Sequence, residues 1–159
     1  MLNLVLIRHA HAGPHIEPDI ERQLSQRGEL EAQKAAQVIK YSSHLPGTWL
    51  VSSAARTQQT ADILLANNQN LLSERKNELK WYEAGGLDYL NFIELESCTT
   101  IYLIGHNPSI SYVASYLSNT NIFMETGSIV HLQWETLEHW TELTKASAII
   151  NYHFDGKQQ

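Results

Sequence analysis

The sequence contains very little cysteine, few basic residues and no long apolar run. Cys98 is the only cysteine in 159 residues, which excludes an internal disulfide and favours a reducing compartment. The apolar stretch at residues 2–7 is too short for a signal peptide or a membrane span. With 11 Lys and Arg against 17 Asp and Glu, the net charge of −6 argues against nucleic acid as a general partner. We therefore expect a cytoplasmic protein that binds neither membranes nor nucleic acid; its oligomeric state cannot be predicted.

The remaining composition is typical of a globular domain. The chain has 43% hydrophobic and 18% charged residues, and its length is sufficient to bury a sizeable core. No repeat, linker or low-complexity tract interrupts it. Residues 1–155 are therefore predicted to form a single domain, and residues 156–159 a frayed tail.

Three short apolar segments, each predicted to be a buried strand, are followed by residues suited to phosphate chemistry. The segments are residues 2–7, 48–53 and 100–104, and the residues that follow them are Arg8 and His9, then Arg56, then His106. Ligands bind at the carboxyl ends of parallel strands, so these side chains should converge if the strands are neighbours. Arginines can clamp phosphoryl oxygens with forked hydrogen bonds, and a histidine can attack phosphorus.

The rest of the chain alternates between helical and extended patterns. Ser25 is a predicted N-cap, Asn107 is another with Pro108 as the first helical residue, and residues 67–80 are predicted to be a polar loop with a short strand. The predicted helices cover residues 25–41, 55–67, 87–96 and 108–118, and two further strands cover residues 128–134 and 148–154. In the third helix, the predicted apolar face contains Leu87, Leu90, Ile93 and Leu95.

Arg56 is predicted to lie in the first turn of its helix. A cation is unfavourable there because the helix dipole places partial positive charge at this end. A bound anion would remove that cost, which favours a phosphate-binding role for Arg56 over a solvated surface position.

These motifs, in this order, resemble those of the histidine phosphatase superfamily. The resemblance rests on Arg8-His9-Ala10, on Ser52-x-x-x-Arg56-x-x-x-Thr60 and on Gly105-His106. The segment Asp19-x-x-Arg22-x-Leu24-Ser25-x-x-Gly28 is similar to one in the small SixA-type phosphohistidine phosphatases. Ala10 departs from the family's Arg-His-Gly signature, but the change is small.

The resemblance implies a fold and a mechanism. The expected fold is a phosphoglycerate-mutase-like, three-layer α/β/α sandwich, with a mostly parallel central sheet and antiparallel C-terminal strands. His9 would attack phosphorus and become phosphorylated, and water would then hydrolyse this intermediate. Arg8, Arg56 and His106 would hold the phosphoryl oxygens, and Arg22 would be a substrate-binding residue. No cofactor is implied.

Other catalytic chemistries have weaker support. His9-x-His11 could ligate zinc, but no matching cluster follows downstream, so no metal is predicted. Cys98 has no basic neighbour to activate it, and neither a G-x-S-x-G turn nor a P-loop occurs. The remaining histidines are interpreted as surface or core residues; they are His15, His44, His131, His139 and His153.

A general acid is difficult to identify. Larger family members use a carboxylic acid downstream of the second arginine, where this chain has Glu74, Glu78 and Glu83 without a convincing motif. Phosphohistidine needs less help, because imidazole is a better leaving group than an alkoxide. The leading hypothesis is a metal-independent phosphatase of phosphohistidine on a protein, such as a phosphotransfer domain. The alternatives are a small phosphomonoesterase with its acid in residues 74–83, and a catalytically idle phosphate-binding module.

Overall fold

A computed structural model describes residues 1–42 and 45–157 of the protein. Within these ranges, six strands form one sheet and four α-helices cover it. The strands are β1 (Leu2–Arg8), β2 (Gly47–Ser52), β3 (Leu72–Glu78), β4 (Thr100–Gly105), β5 (Ile129–Trp134) and β6 (Ile149–Phe154). The helices are α1 (Gln26–Ser42), α2 (Ala55–Ala66), α3 (Gly86–Glu94) and α4 (Ser109–Ser118). His44 lies outside the described residues, as do part of the predicted turn at 42–47 and the end of the predicted tail.

The sheet is mixed, with strand order β3-β2-β4-β1-β5-β6. The neighbours β3, β2, β4 and β1 are parallel, whereas β5 runs antiparallel to both β1 and β6. The three strands predicted to end at a common site are therefore adjacent, with β4 between β1 and β2. The predicted mostly parallel sheet with antiparallel C-terminal strands is confirmed.

The central strands are buried on both faces because helices cover the two sides of the sheet. In β1, Leu4 and Leu6 pack in one cluster with residues of α3 and α4, whereas Val5 and Ile7 pack in a second with residues of α1 and α2. This division follows from the alternation of side chains along a strand. It confirms the predicted α/β/α layering. Among the described residues, no helix is long and apolar enough to cross a membrane.

Helix α1 begins where the sequence predicts. The backbone N–H of Gly28 donates to Ser25 Oγ at 3.0 Å, so Ser25 caps this helix. A β-carbon on Gly28 would lie 2.0 Å from the carbonyl oxygen of His11. Glycine at this position therefore allows α1 to approach the chain that follows β1.

Two predictions about the helices on the other face are wrong in detail. Helix α4 begins at Ser109 rather than Pro108, and the Asn107 side chain does not cap it but donates to the carbonyl of Met124. Leu87 on α3 and Leu95, which lies just after the helix, are both exposed, so the buried face is narrower than the apolar pattern predicts.

The segment at residues 67–80 contains a strand as long as β1, not a loop with a short strand. Its sequence, LSERKNE, looked loop-like because β3 lies at the edge of the sheet, where most of its residues are exposed. An edge strand keeps its backbone pairing on one side without needing an apolar face.

Candidate active site

The carboxyl ends of β1 and β4 bring the two predicted histidines together. His9 directly follows β1, and its backbone N–H donates to the carbonyl of Gly105, the last residue of β4, at 3.2 Å. The next residue is His106, and the centroids of the two imidazole rings are 5.2 Å apart. Both side chains are buried, with residue exposures of 7% and 8%.

His9 is held as a neutral imidazole with a defined tautomer. Its Nδ1 lies 2.7 Å from the carbonyl oxygen of Ala10. Because a carbonyl oxygen only accepts, Nδ1 carries the proton and Nε2 keeps a free lone pair. Burial, reinforced by nearby arginines and opposed by the Ala10 bond, lowers the pKa of His9 from 6.5 to about 4. The ring is therefore neutral near pH 7, with Nε2 unprotonated.

His106 is fixed by the strand beside it. Its Nε2 lies 2.8 Å from the hydroxyl oxygen of Ser52, the last residue of β2. Burial first, and then the charges of His9 and Arg56, lower the pKa of His106 to about 3. A Cβ on Gly105 would lie 2.5 Å from the hydroxyl of Tyr89, which accepts the backbone N–H of His106. Three neighbouring strands thus contribute to the position of one ring pair.

Arg8 is anchored through the loop between α4 and β5. Its Nη1 donates to the carbonyl of Met124 at 3.0 Å, and Asn107 donates to the same oxygen at 2.8 Å. Ser111 donates to the side-chain oxygen of Asn107 and accepts the backbone N–H of Met124. Burial lowers the pKa of Arg8 below its ordinary value. These bonds hold one end of the guanidinium.

Arg56 lies in the first turn of α2, as predicted, and is almost fully buried. Its carbonyl accepts a hydrogen bond from Thr60 Oγ1 at 2.7 Å, and the same hydroxyl accepts the backbone N–H of Ala10 at 3.1 Å. The pattern Ser52-x-x-x-Arg56-x-x-x-Thr60 therefore has a structural meaning. It ties the end of β2 and one side of α2 to the backbone beside His9.

The carboxylate of Asp19 is an anion that the chain itself places at Arg56 in the first turn of α2. Asp19 accepts hydrogen bonds from Arg56 through both its carbonyl and its carboxylate, each at 3.0 Å. Tyr82 donates to the same carboxylate at 2.5 Å, and Arg22 Nε lies 3.5 Å from its other oxygen. These interactions, the Tyr82 bond foremost, lower the pKa of the Asp19 carboxyl.

Three arginines of this region have a buried Nε atom. Among the described residues, the buried Nε atoms of Arg8, Arg22 and Arg56 have no hydrogen-bond partner. An unpaired buried donor on a cation costs free energy, of the order of 1–3 kcal/mol or more, unless a ligand satisfies it. Three such donors beside two neutral histidines are suited to an anion with several oxygens.

The structure brings Arg8, His9, Arg56 and His106 together, and Arg22 joins them through Asp19. The three candidate acids are placed differently. Glu74 and Glu83 are exposed, whereas the half-buried Glu78 pairs in register with Ser52 at the end of β2.

No group of three or more potential metal ligands occurs in the described part of the chain. The imidazoles of the sequence pair His9-x-His11 have separate partners, because His11 Nδ1 lies 2.6 Å from Ser25 Oγ.

Several residues that shape the site carry little signal in the sequence. Asp19, Ser52 and Thr60 were predicted only as parts of motifs, and Tyr82 was not predicted at all. The spacing Asp19-x-x-Arg22 was the one available signal for the first of these. Tyr82 gave none, because its contact with Asp19 joins residues 63 positions apart.

Comparison with known proteins supports one family. The sequence profile of the histidine phosphatase superfamily (branch 1) matches residues 4–122, three quarters of the chain. An uncharacterised chloroplast protein of Arabidopsis thaliana is 29% identical over 142 residues, covering 82% of this chain. The match spans 65% of that relative's length.

Solved structures support the fold. A protein assigned as the phosphohistidine phosphatase SixA of Nakamurella multipartitia superposes with a TM-score of 0.82 at 22% identity, covering 96% of this chain and 95% of that one. A protein histidine phosphatase SixA in complex with tungstate superposes with a TM-score of 0.75 at 20% identity, covering 98% of this chain and 97% of that one. A phosphoserine phosphatase of Entamoeba histolytica superposes with a TM-score of 0.63 at 14% identity, covering 96% of both chains.

At these identities the structural similarity concerns the fold alone, which is phosphoglycerate-mutase-like, as the sequence predicted. The family assignment has the profile match as its basis. Taken with the arrangement of Arg8, His9, Arg56 and His106, it leads to one conclusion. The chain belongs to the histidine phosphatase superfamily.

Proposed function

We propose that this protein is a metal-independent phosphatase that hydrolyses phosphohistidine on a protein through a phosphorylated His9. The observation that carries the proposal is the tautomer of His9, whose Nδ1–H donates to the carbonyl of Ala10. This bond leaves the Nε2 lone pair free, and the lowered pKa keeps it unprotonated at neutral pH. His9 would attack phosphorus in line, and the leaving imidazole would depart from the opposite side.

The surrounding donors fit the charge that develops on the transferring group. The guanidinium groups of Arg8 and Arg56, each held by a main-chain carbonyl, would bind the equatorial oxygens of the transition state, together with that of Arg22 beside Asp19. His106 lies beside His9 with its ring held by Ser52, so it would add a fourth contact. Water would then hydrolyse the phosphorylated His9 while the same groups hold the phosphoryl oxygens.

The preference for phosphohistidine is supported by where the candidate acids lie. An alkoxide leaving group needs a proton, whereas imidazole leaves more readily. Of the three candidate acids, Glu78 pairs in register with Ser52 and Glu83 directly follows Tyr82. Within the described chain, neither carboxylate forms a hydrogen bond or ion pair with His9, Arg56 or His106. A phosphotransfer domain carrying phosphohistidine is the partner we propose.

A second candidate function is that of a small phosphomonoesterase with Glu78 as its general acid. The pairing of Glu78 with Ser52 at the carboxyl end of the sheet favours this alternative over one based on Glu74, which lies four residues earlier in the same strand. The two functions differ in whether the leaving group must be protonated by the enzyme.

The experiment is a trapping assay with a protein labelled on phosphohistidine. After brief incubation and alkaline denaturation, we expect label on His9 of the wild type and none on a His9→Gln variant. His11→Gln is the matched control, because His11 lies two residues away and is bonded to Ser25 instead. Label on another residue, or loss of label in the control alone, would refute the assignment of His9 as nucleophile.

A further inference from the structure

Asp19 brings a carboxylate into the cluster of arginines. It lies in a 3-10 helix (Asp19–Glu21) of the loop that follows β1. One carboxylate oxygen accepts hydrogen bonds from Arg56 Nη2 at 3.0 Å and from the Tyr82 hydroxyl at 2.5 Å. The other lies 3.5 Å from Arg22 Nε. A single side chain therefore joins residues of two loops and one helix.

The contacts of Asp19 leave part of the Arg56 guanidinium unoccupied. A guanidinium has five N–H donors, and Asp19 receives one from Nη1 through its carbonyl and one from Nη2 through its carboxylate. The Nε–H of Arg56 is buried and, within the described residues, has no partner. Asp19 thus engages two of the five donors and fixes both terminal nitrogens of Arg56.

Tyr82 supports this arrangement from the other side. Its hydroxyl donates to Asp19, and its ring centroid lies 5.8 Å from Cζ of Arg56. The ring also packs edge-on against His106, with centroids 5.6 Å apart. Tyr82 therefore touches both Arg56 and His106 while its hydroxyl holds the carboxylate of Asp19.

We propose that Asp19, supported by Tyr82, is a positioning residue that holds the guanidinium of Arg56, and Arg22 beside it, in place to bind the phosphoryl oxygens. The proposal rests on the proposed function for the identity of the group bound. Its physical basis is that a long side chain must be ordered before binding, and that a displacement of about 1 Å can cost ~10²-fold in rate. The carboxylate also offsets repulsion between two cations that share one site.

The opposite role would be that of an internal competitor. A carboxylate paired with Arg56 could occupy the place of an incoming oxyanion, and its removal would then strengthen anion binding. Positioning and competition predict effects of opposite sign on the same measurement. The sign of the effect of Asp19→Ala therefore decides between them.

Tungstate binding, measured by titration calorimetry, tests the proposal without requiring turnover. Asp19→Ala removes the carboxylate but keeps the main-chain bond to Arg56, so we expect ~10–100-fold weaker tungstate binding and a comparable loss of kcat. Asp19→Asn, which retains a hydrogen-bond acceptor, should recover part of both. Glu21→Ala is the matched control, because it removes an exposed carboxylate from the same 3-10 helix. Its tungstate affinity should equal that of the wild type.

A double-mutant cycle shows whether Tyr82 acts through Asp19. Tyr82→Phe should weaken tungstate binding in the wild-type background and have no further effect in Asp19→Ala. Equal losses in both backgrounds would refute the supporting role of Tyr82.

Unchanged or tighter tungstate binding by Asp19→Ala would overturn the positioning role; if that variant does not fold, the same criterion applies to Asp19→Asn. The proposed function has a separate test. A wild type that binds tungstate but does not hydrolyse phosphohistidine would refute that function and leave the positioning role intact.

Discussion

The burial of His9 predicts a specific dependence of stability on pH. Its pKa is about 4 in the folded protein, against 6.5 when the side chain is in water. Between these values the unfolded chain binds a proton that the folded chain does not. Stability is therefore unaffected by His9 above pH 6.5 and falls as the pH is lowered from 6.5 towards 4.

The magnitude follows from linkage. Between pH 7.5 and pH 5.5, protonation of His9 in the unfolded chain alone should lower the free energy of unfolding by about 1.3 kcal/mol. This figure hardly depends on the folded pKa, provided that it lies a unit or more below 5.5. In His9→Gln the contribution disappears, so the loss of stability over this interval should be smaller than in the wild type by about 1.3 kcal/mol.

Urea denaturation of both proteins at the two pH values measures the difference. Thr60→Val is the control, because it removes the hydroxyl bonded to the Ala10 backbone without removing a titrating group. It should lower stability similarly at both pH values. An equal pH dependence in His9→Gln and the wild type would show that His9 is not held neutral by burial.

Four further predictions concern catalysis and folding. Arg56→Ala should lower turnover ~10²-fold or more, and Arg56→Lys should recover little, because an ammonium lacks the planar fork; steady-state kinetics with a phosphohistidine protein tests both. Glu78→Gln should lower the rate of phosphohistidine hydrolysis only a few-fold, well short of the ~10²–10⁴-fold loss expected when a general acid is removed. The wild type should barely hydrolyse phosphoserine. Efficient phosphoserine hydrolysis that is lost in Glu78→Gln would support the phosphomonoesterase instead. Chelators should leave the activity unchanged and vanadate should inhibit it, and inactivation by a chelator would argue for a metalloenzyme. Gly28→Ala should lower the Tm, because its β-carbon would lie 2.0 Å from the His11 carbonyl oxygen, and an unchanged Tm would contradict this packing.

The sequence was sufficient to predict the central strands and the residues that meet at their carboxyl ends. Apolar runs that stop at Arg8 and at Gly105 predict buried parallel strands, because strands covered on both faces have few polar positions. The convergence of Arg8, His9, Arg56 and His106 then results from the topology. These predictions rely on local patterns, which a sequence displays directly.

Contacts between distant segments could not be predicted in the same way. The bond between Tyr82 and Asp19 joins two loops, and no local pattern specifies which loops meet. The N-cap prediction for Asn107 is wrong because its residue type and the following proline are typical of a helix start. In the structure its side chain donates to the carbonyl of Met124 instead, a contact that the sequence does not reveal. The sequence predicts too short a strand at β3, because exposure at the sheet edge removes the apolar alternation on which strand prediction depends.

The polar character of β3 has a consequence for the behaviour of the protein at high concentration. A strand at the end of a sheet exposes unpaired backbone groups that could pair with another chain and start aggregation. Here that strand carries Glu74, Arg75, Lys76 and Glu78 within seven residues. Burying these charges against a second sheet would be costly, so they discourage open-ended stacking. Their replacement by valine or isoleucine would retain the strand and lower the solubility of the protein, although these positions contribute little to the core.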